Sequence, residues 1–398
     1  MNPAPPPVRP FVGPARVVAG PGASAFAADE LRAAGVRPAD GTVLVVADAA
    51  VLSLGLAESL LASLRDGGYA VDVRPPVGGE PTPETVEALA PEDPERPVAA
   101  VVGIGGGSAL DAAKLAALAR TNPGLDLTAG LPATADVAPG PPLLAVPTTA
   151  GTGAEATAVA MLWHGGGKRM FVHAQLVPRL ALLDPDLLAG LPPAVTAAGG
   201  LDAISHAVES LLSTFRTPLT EVAGRAALAF LADSVPAAYA DGSNADARHK
   251  TLLGAYQAGL ALNASVVLGH SLAYVVAAEA SLPHGVTCAM TLPYCLAHAR
   301  PAREEAIAEI AGIVTGAPEP ERLVRWLVER NDAMEIPPSL AAVGIDASRL
   351  GAMAQTTVAS YPRPNHPVPI DAEGIERLLA HFHAGEPLAA WDGARSLA

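Results

Sequence analysis

The chain has 398 residues, half of them hydrophobic, with 40 acidic against 25 basic side chains and a formal net charge of −15. That length and hydrophobic content imply two or three domains with sizeable cores. The acidic balance argues against nucleic acid, whose phosphates attract Lys and Arg.

Met1–Pro10 is rich in proline and has no apolar run of the kind a signal peptide needs. Thr42–Ala47 (TVLVVA) is a β-rich run ending at Asp48, and Val51–Arg65 then carries apolar residues at helical spacing. Tyr69–Arg74 reads as a strand, Val98–Ile104 (VAAVVGI) as a continuous apolar strand and Ser108–Arg120 as a helix. Thr121–Pro142, rich in Pro, Gly and Ala, reads as a surface loop before the strands Leu143–Val146 and Leu180–Leu183. Continuous apolar strands alternating with helices indicate a parallel sheet covered on both faces.

The pattern changes at Leu191-Pro192-Pro193. Pro193 suits the first turn of a helix running to about Ser213. Further helices are expected near Leu219–Ser234, Ala247–Leu262, Val266–Ala280, His284–Ala299, Arg303–Val314, Pro320–Asn331 and Gly374–Ala384, with almost no strand signal among them. The expected division is an α/β domain over 1–192 and an all-α domain over 193–398. The most apolar stretch, Ala258–Ala280, is interrupted by Asn263, His270 and Glu279, which suits a buried helix better than a membrane span. The two cysteines, Cys288 and Cys295, read as buried reduced thiols, and the expected location is cytoplasmic.

After the strand Val98–Ile104 come Gly105, Gly106, Gly107 and Ser108, and then a helix carrying Asp111 and Lys114. Glycines let the backbone approach an anion, and a helix N-terminus offers free N–H groups to the same point. The same turn also serves as a plain strand-to-helix connection. Asp48 stands at the carboxyl end of the first strand, where it can accept both ribose hydroxyls of NAD or simply cap a turn. Thr148, Thr149 and Thr152 follow a third strand end, in a stretch that suits the same cofactor or an ordinary Gly/Thr loop.

Asp202 and His206 are four apart, hence on one helix face, and His270 and His284 stand in other helices. One carboxylate and three imidazoles form a plausible divalent-metal set, although a lone helical histidine is more often a hydrogen-bonded core or surface residue. Four such groups in apolar helices would be costly to bury unpaired.

GGGSALDAAK (Gly105–Lys114), PTTAGTGAE (Pro147–Glu155), GLDAISHAVE (Gly200–Glu209) and the spacing from His270 to His284-Gly285 together resemble the iron-containing (group III) alcohol dehydrogenase family. The similarity runs from about Arg16 to Leu379. Gly165–Leu187 and Pro362-Arg363-Pro364 look nearest to its maleylacetate-reductase branch. The resemblance implies a dehydroquinate synthase-like architecture, with an N-terminal dinucleotide-binding α/β domain, a C-terminal helical domain and an active site in the cleft. It implies NAD, held by Asp48, Gly105, Gly106, Gly107, Ser108, Asp111, Thr148, Thr149 and Thr152. It implies Fe²⁺ or Zn²⁺ on Asp202, His206, His270 and His284. It also implies a small alcohol or carbonyl substrate, with a homodimer expected by base rate.

One departure stands out. The family usually carries a second histidine four residues after the third metal ligand, and here that position is Tyr274. With an ordinary pKa near ~10, a tyrosine passes a proton less readily than histidine. Tyr274 and His270 are therefore the expected catalytic pair, with an altered proton route or substrate. Val159, His173 and His298 join Tyr274 as pocket residues by position alone. Two alternatives stand beside the oxidoreductase: an accessory subunit of a biosynthetic complex, and a sugar-phosphate cyclase (a lyase) sharing fold, NAD and metal. Asp202, where a cyclase tends to carry Glu, speaks against the second.

Overall fold

The computed structural model describes residues 8–74, 78–90 and 97–394. They form two compact units, one spanning Val12–Leu191 and the other running from Pro192 onward together with residues 8–11.

The first unit contains strands β1 (Arg16–Ala19), β2 (Thr42–Ala47), β3 (Ala70–Val73), β4 (Val98–Gly105), β5 (Leu143–Pro147), β6 (Val159–His164), β7 (Gly167–Val172) and β8 (Leu180–Leu183). Its helices are α1 (Ala27–Ala33), α2 (Ala49–Ser53), α3 (Glu58–Asp66), α4 (Pro83–Leu89) and α5 (Gly107–Thr121). Six strands make a parallel sheet in the order β1-β8-β5-β4-β2-β3. The central strands β4, β5 and β8 are buried almost end to end, as expected for a parallel sheet covered on both faces. Register decides where chemistry can sit. Ala47 pairs with Ile104, and Gly105 with Pro147, so Asp48, the glycine turn and Thr148 leave the sheet at neighbouring carboxyl ends.

Several features differ from the sequence reading. The helix expected over Val51–Arg65 is two short helices, because the chain turns at Gly55, whose φ is +69°. Strand β1 is four residues long and largely exposed, so it gives no hydrophobic signal. The antiparallel hairpin β6–β7 turns at Gly165-Gly166, with φ of +60° and +76°. Two consecutive positive φ angles are what a tight hairpin turn requires. Within the expected surface loop Thr121–Pro142, Leu127 and Leu131 are buried in a cluster with Phe171.

The second unit contains α6 (Pro193–Leu212), α7 (Pro218–Ala240), α8 (Ala245–Ala261), α9 (Leu268–Ala280), α10 (His284–Thr315), α11 (Pro320–Ala333), α12 (Leu350–Ser360), α13 (Ala372–Ala384) and α14 (Pro387–Gly393), with no strand among the described residues. The two helices expected over His284–Ala299 and Arg303–Val314 run together as α10, with one non-helical residue, Arg303, two positions after Pro301. The apolar Ala258–Ala280 stretch is divided between α8 and α9, which meet at a bend of 108°. No single helix among the described residues is long and apolar enough to cross a membrane. Helix α6 is the axis of this unit, and every residue from Gly200 to Leu212 is buried. A Cβ on Gly285 would lie 2.0 Å from the Ala198 carbonyl oxygen, so only glycine lets the start of α10 reach α6.

Candidate active site

The turn between β4 and α5 is built by omission of side chains. Gly106 caps α5 without a side-chain hydrogen bond, leaving first-turn N–H groups directed out of the helix. Its own N–H donates to Asp48 Oδ2 at 2.6 Å. A Cβ on Gly105 would lie 2.4 Å from that same oxygen, and one on Gly107 would lie 2.8 Å from Thr152 Cγ2. Thr149 Oγ1 stands 3.5 Å from the Cβ position of Gly106, and the Thr148 N–H donates to the Gly105 carbonyl at 2.9 Å. Asp48, the three glycines and the Thr148–Thr152 loop are therefore one packed surface around a helix N-terminus, with Ser108 in the first turn of α5. Burial raises the Asp48 carboxyl pKa, and the Gly106 N–H offsets that only in part.

Asp111 is employed differently. Its carboxylate accepts from the Met161 N–H at 2.9 Å and lies 4.0 Å from Lys114 Nζ. Lys114 in turn donates to the Thr157 carbonyl, the Thr157 hydroxyl and the Val159 carbonyl at 2.7–3.0 Å. These contacts tie α5 to the strand β6, the work of a buttress. Of the residues placed in a pocket by position, Val159 serves this network through its carbonyl. His173 caps the turn at Gln175 and contacts the Ala135 carbonyl, while His298 pairs with His366 at 2.8 Å.

In the helical unit three of the four residues expected around a metal, Asp202, His270 and His284, place donors within 4.8 Å of one another, and His206 lies beside Asp202 outside that group. Nε2 of His206, His270 and His284 lie 3.6, 3.7 and 3.9 Å from the single oxygen Asp202 Oδ1. The His206 and His270 rings stack at 4.8 Å. These spacings are too long for hydrogen bonds. They approach the ligand–ligand separation of about 3.4 Å that four donors at 2.0–2.2 Å impose around one ion. Asp202 is 3% exposed, yet its Oδ1 accepts no hydrogen bond. A buried carboxylate oxygen in that state needs a compensating cation. Burial would raise the Asp202 carboxyl, but His206, His270 and His284 overcome it and hold it well below the usual range. The residues thus fit a divalent ion in donor type, spacing and electrostatic demand. His284, with 23% of its side chain exposed, is the most open of the four.

Two participants were not read from the sequence. Glu209, at the end of the GLDAISHAVE segment, places Oε1 2.5 Å from His270 Nδ1. Its Oε2 accepts from the N–H groups of Val267 and His270 at 2.8 and 3.3 Å. A proton on Nδ1 leaves the Nε2 lone pair for Asp202's side of the ring. Burial opposes charge on His270, but the Cys288 sulfur and the Glu209 and Asp202 carboxylates outweigh it and raise its pKa. A Cβ on Gly269 would lie 2.7 Å from Glu209 Oε1, so glycine is needed for this carboxylate to reach its partners. Cys288 is the other participant. Its Sγ lies 3.6 Å from His270 Nε2 and 3.5 Å from His284 Nε2, and it forms with Asp202, His270 and His284 a group of donors all within 4.8 Å of one another. Cys288 follows His284 by one helical turn, the same spacing rule that pairs Asp202 with His206. Burial pushes its thiol up to about 12.

Tyr274 borders the cluster. Its ring stacks on His284 at 5.2 Å and 14°, and lies 5.1 Å from the Tyr361 ring.

The N-terminal model of the iron-containing alcohol dehydrogenases matches residues 14–185, and the C-terminal model of the same family matches residues 196–382. The chain is 29% identical to the NAD-dependent methanol dehydrogenase of Bacillus methanolicus over 93% of its length and 98% of that protein's. It is 32% identical to the maleylacetate reductase of Sphingobium indicum, over 94% of its length and 97% of that protein's. A crystal structure of 1,3-propanediol oxidoreductase superimposes with a TM-score of 0.86 at 27% identity, covering 94% of this chain and all of that one. Parallel sheet, helical unit and both family models agree, and the chain belongs to the iron-containing alcohol dehydrogenase family.

Proposed function

We propose that the protein is a metal-dependent oxidoreductase that passes a hydride between NAD(H) and a small alcohol, aldehyde or ketone. The observation that carries this reading is the buried Asp202 Oδ1, without a hydrogen bond and faced by three imidazole Nε2 atoms. Asp202, His206, His270 and His284 would hold Fe²⁺ or Zn²⁺, with the Cys288 sulfur within reach of the same point. A bound divalent ion there supplies the electrophile that polarises a carbonyl or acidifies an alcohol.

The protein's own groups do the rest. N–H groups of Gly106, Gly107 and Ser108 at the start of α5 hold the pyrophosphate, and Asp48 accepts from the adenosine ribose. A carboxylate at that position repels a 2′-phosphate, which favours NAD over NADP. Thr148, Thr149 and Thr152 line the cofactor. The Asp111 contacts with Met161 and Lys114 support a positioning role behind the turn. The Tyr274 hydroxyl, whose ring is fixed against His284, donates or accepts the proton that accompanies hydride transfer. The maleylacetate-reductase-like branch, a homodimer and a cytoplasmic location belong to the same proposal.

The test is metal analysis of protein purified without oxygen, with NADH turnover measured on the same sample. One equivalent of Fe²⁺ or Zn²⁺ and NADH oxidation with small carbonyls are expected. Asp202→Asn should lose both the metal and the turnover. Protein that binds metal and NADH but converts no alcohol or carbonyl would instead be the accessory subunit.

A further inference from the structure

Carboxylate and imidazole donors alone do not choose between Fe²⁺ and Zn²⁺. The structure adds a softer donor to the cluster. Cys288 is only 1% exposed, and its Sγ lies 3.6 Å from His270 Nε2 and 3.5 Å from His284 Nε2. His284 Nδ1 is farther, at 3.8 Å, so Nε2 is the nitrogen of that ring nearer the sulfur. A thiolate sulfur at about 2.3 Å and an imidazole nitrogen at about 2.0–2.1 Å from one tetrahedral ion stand about 3.5–3.6 Å apart.

That spacing would also suit a thiol packed against two rings, so it decides nothing alone. The supply of protons tells the two apart. Glu209 takes the Nδ1 side of His270, which turns the Nε2 lone pair toward Cys288. Asp202 is 3% exposed, and its Oδ1 accepts no hydrogen bond. The donor atoms of Asp202, His270, His284 and Cys288 all lie within 4.8 Å of one another. One thiol proton cannot satisfy an imidazole lone pair and a buried carboxylate oxygen together, whereas a cation satisfies both and the sulfur as well.

We propose that Cys288 is a ligand of the metal ion, so that the centre carries a thiolate beside its carboxylate and imidazoles and takes Zn²⁺ in preference to Fe²⁺. This rests on the metal-dependent reading above and deepens it. On binding, the Sγ–H bond breaks, its proton leaves to solvent and a sulfur–metal bond forms. Asp202 and the Cys288 thiolate together balance a divalent charge. A thiolate is a soft donor, and that softness favours Zn²⁺ where the remaining donors are indifferent.

The experiment loads the full chain with Co²⁺, an open-shell stand-in for Zn²⁺, and records its absorption spectrum. The wild type should show the visible bands of bound Co²⁺ together with an intense near-ultraviolet band of sulfur-to-cobalt charge transfer. Cys288→Ser should keep the visible bands and lose the ultraviolet one. Cys295→Ser, at the other buried thiol, should keep both. The chain has two cysteines, so a band retained in Cys295→Ser assigns the sulfur to Cys288 even if Cys288→Ser does not fold. In competitive titration the ratio of Zn²⁺ to Fe²⁺ affinity should fall by about tenfold or more in Cys288→Ser. Bound Co²⁺ without the ultraviolet band in the wild type, or a band that survives Cys288→Ser, would overturn the ligand assignment and leave the Asp202–histidine site standing. An unchanged Zn²⁺-to-Fe²⁺ ratio would strike the metal preference. Failure to bind Co²⁺ at all would end both readings. Protein that shows the band but turns over no NADH with any alcohol or carbonyl keeps the sulfur ligand and loses the oxidoreductase reading.

Discussion

The turn after β4 is shaped by side chains that are missing, and the cluster around Asp202 by side chains that are present. Gly105 and Gly107 are required because a Cβ at either would strike Asp48 or Thr152, so the turn offers backbone N–H groups and little else. In the helical unit α6, α9 and α10 each contribute donor atoms to the cluster from within one or two turns. The first arrangement suits a large, delocalised anion that touches many N–H groups weakly. The second suits a compact cation that needs a few donors at fixed distances. A backbone site should fail by steric intrusion, and a side-chain site by loss of a single donor.

The largest expected effect sets these two failures against each other. Gly105→Ala pushes a methyl group into Asp48 and Ala109 and should weaken NADH binding by about 100-fold or more, while metal content stays near one equivalent. Asp202→Asn should do the reverse. It removes the anionic donor, so metal content should fall below a tenth of an equivalent and turnover by at least about 10³-fold, while NADH still quenches or shifts in fluorescence on binding. Metal analysis and NADH titration on both variants measure the cross. If Gly105→Ala also empties the metal site, the two sites are not separable and the comparison breaks.

How far each region could be read in advance follows from the same contrast. The glycine turn with its flanking strand and helix carries its signal within a few residues, as does the Asp202–His206 pair, and each group is assembled within its own unit. Glu209 did not declare itself, because its partner His270 is 61 residues away and only the fold brings them to 2.5 Å. Cys288 was legible in principle by the i, i+4 rule from His284, but a lone cysteine in an apolar helix reads first as core. Asp111 misled in the opposite direction. It sits one turn into the helix that follows the glycine turn, yet its carboxylate faces Met161 and Lys114. Strand β1 was invisible because four mostly exposed residues carry no periodicity.

A smaller effect sharpens the side-chain half. Glu209 uses one oxygen for His270 Nδ1 and the other for two backbone N–H groups. Glutamine has only one carbonyl oxygen, so Glu209→Gln must lose one of these ends and present an NH₂ group to another donor. Metal affinity should fall by about 10–100-fold, the range seen when an outer carboxylate behind a ligating histidine is removed. Glu209 acts here as a positioning residue, so the decisive measurement is the metal dissociation constant. An unchanged constant with reduced activity would assign it another role.

The smallest expected effect is on stability, and it probes the backbone half through what lies behind it. Glu155, at the end of the loop facing the glycine turn, is 2% exposed, and burial pushes its carboxyl up to about 7. Burial likewise raises Asp111 to about 6 and lowers Lys114 to about 8. A carboxyl whose pKa is raised on folding stabilises the protein fully below its unfolded value and loses that contribution as pH climbs through the folded value. Lys114 has the opposite sense, contributing above its unfolded value and losing it as pH falls through about 8. All three are therefore charged together between about pH 7 and 8, where their burial is least favourable. In urea unfolding, Glu155→Gln should come close to the wild type in unfolding free energy near pH 5 and exceed it near pH 8 by something on the order of 2 kcal/mol, less whatever Lys114 loses with its neighbour's charge. Parallel curves across that window would mean that Glu155 is solvated through the loop, and that the surface behind the glycine turn is more open than its packing implies.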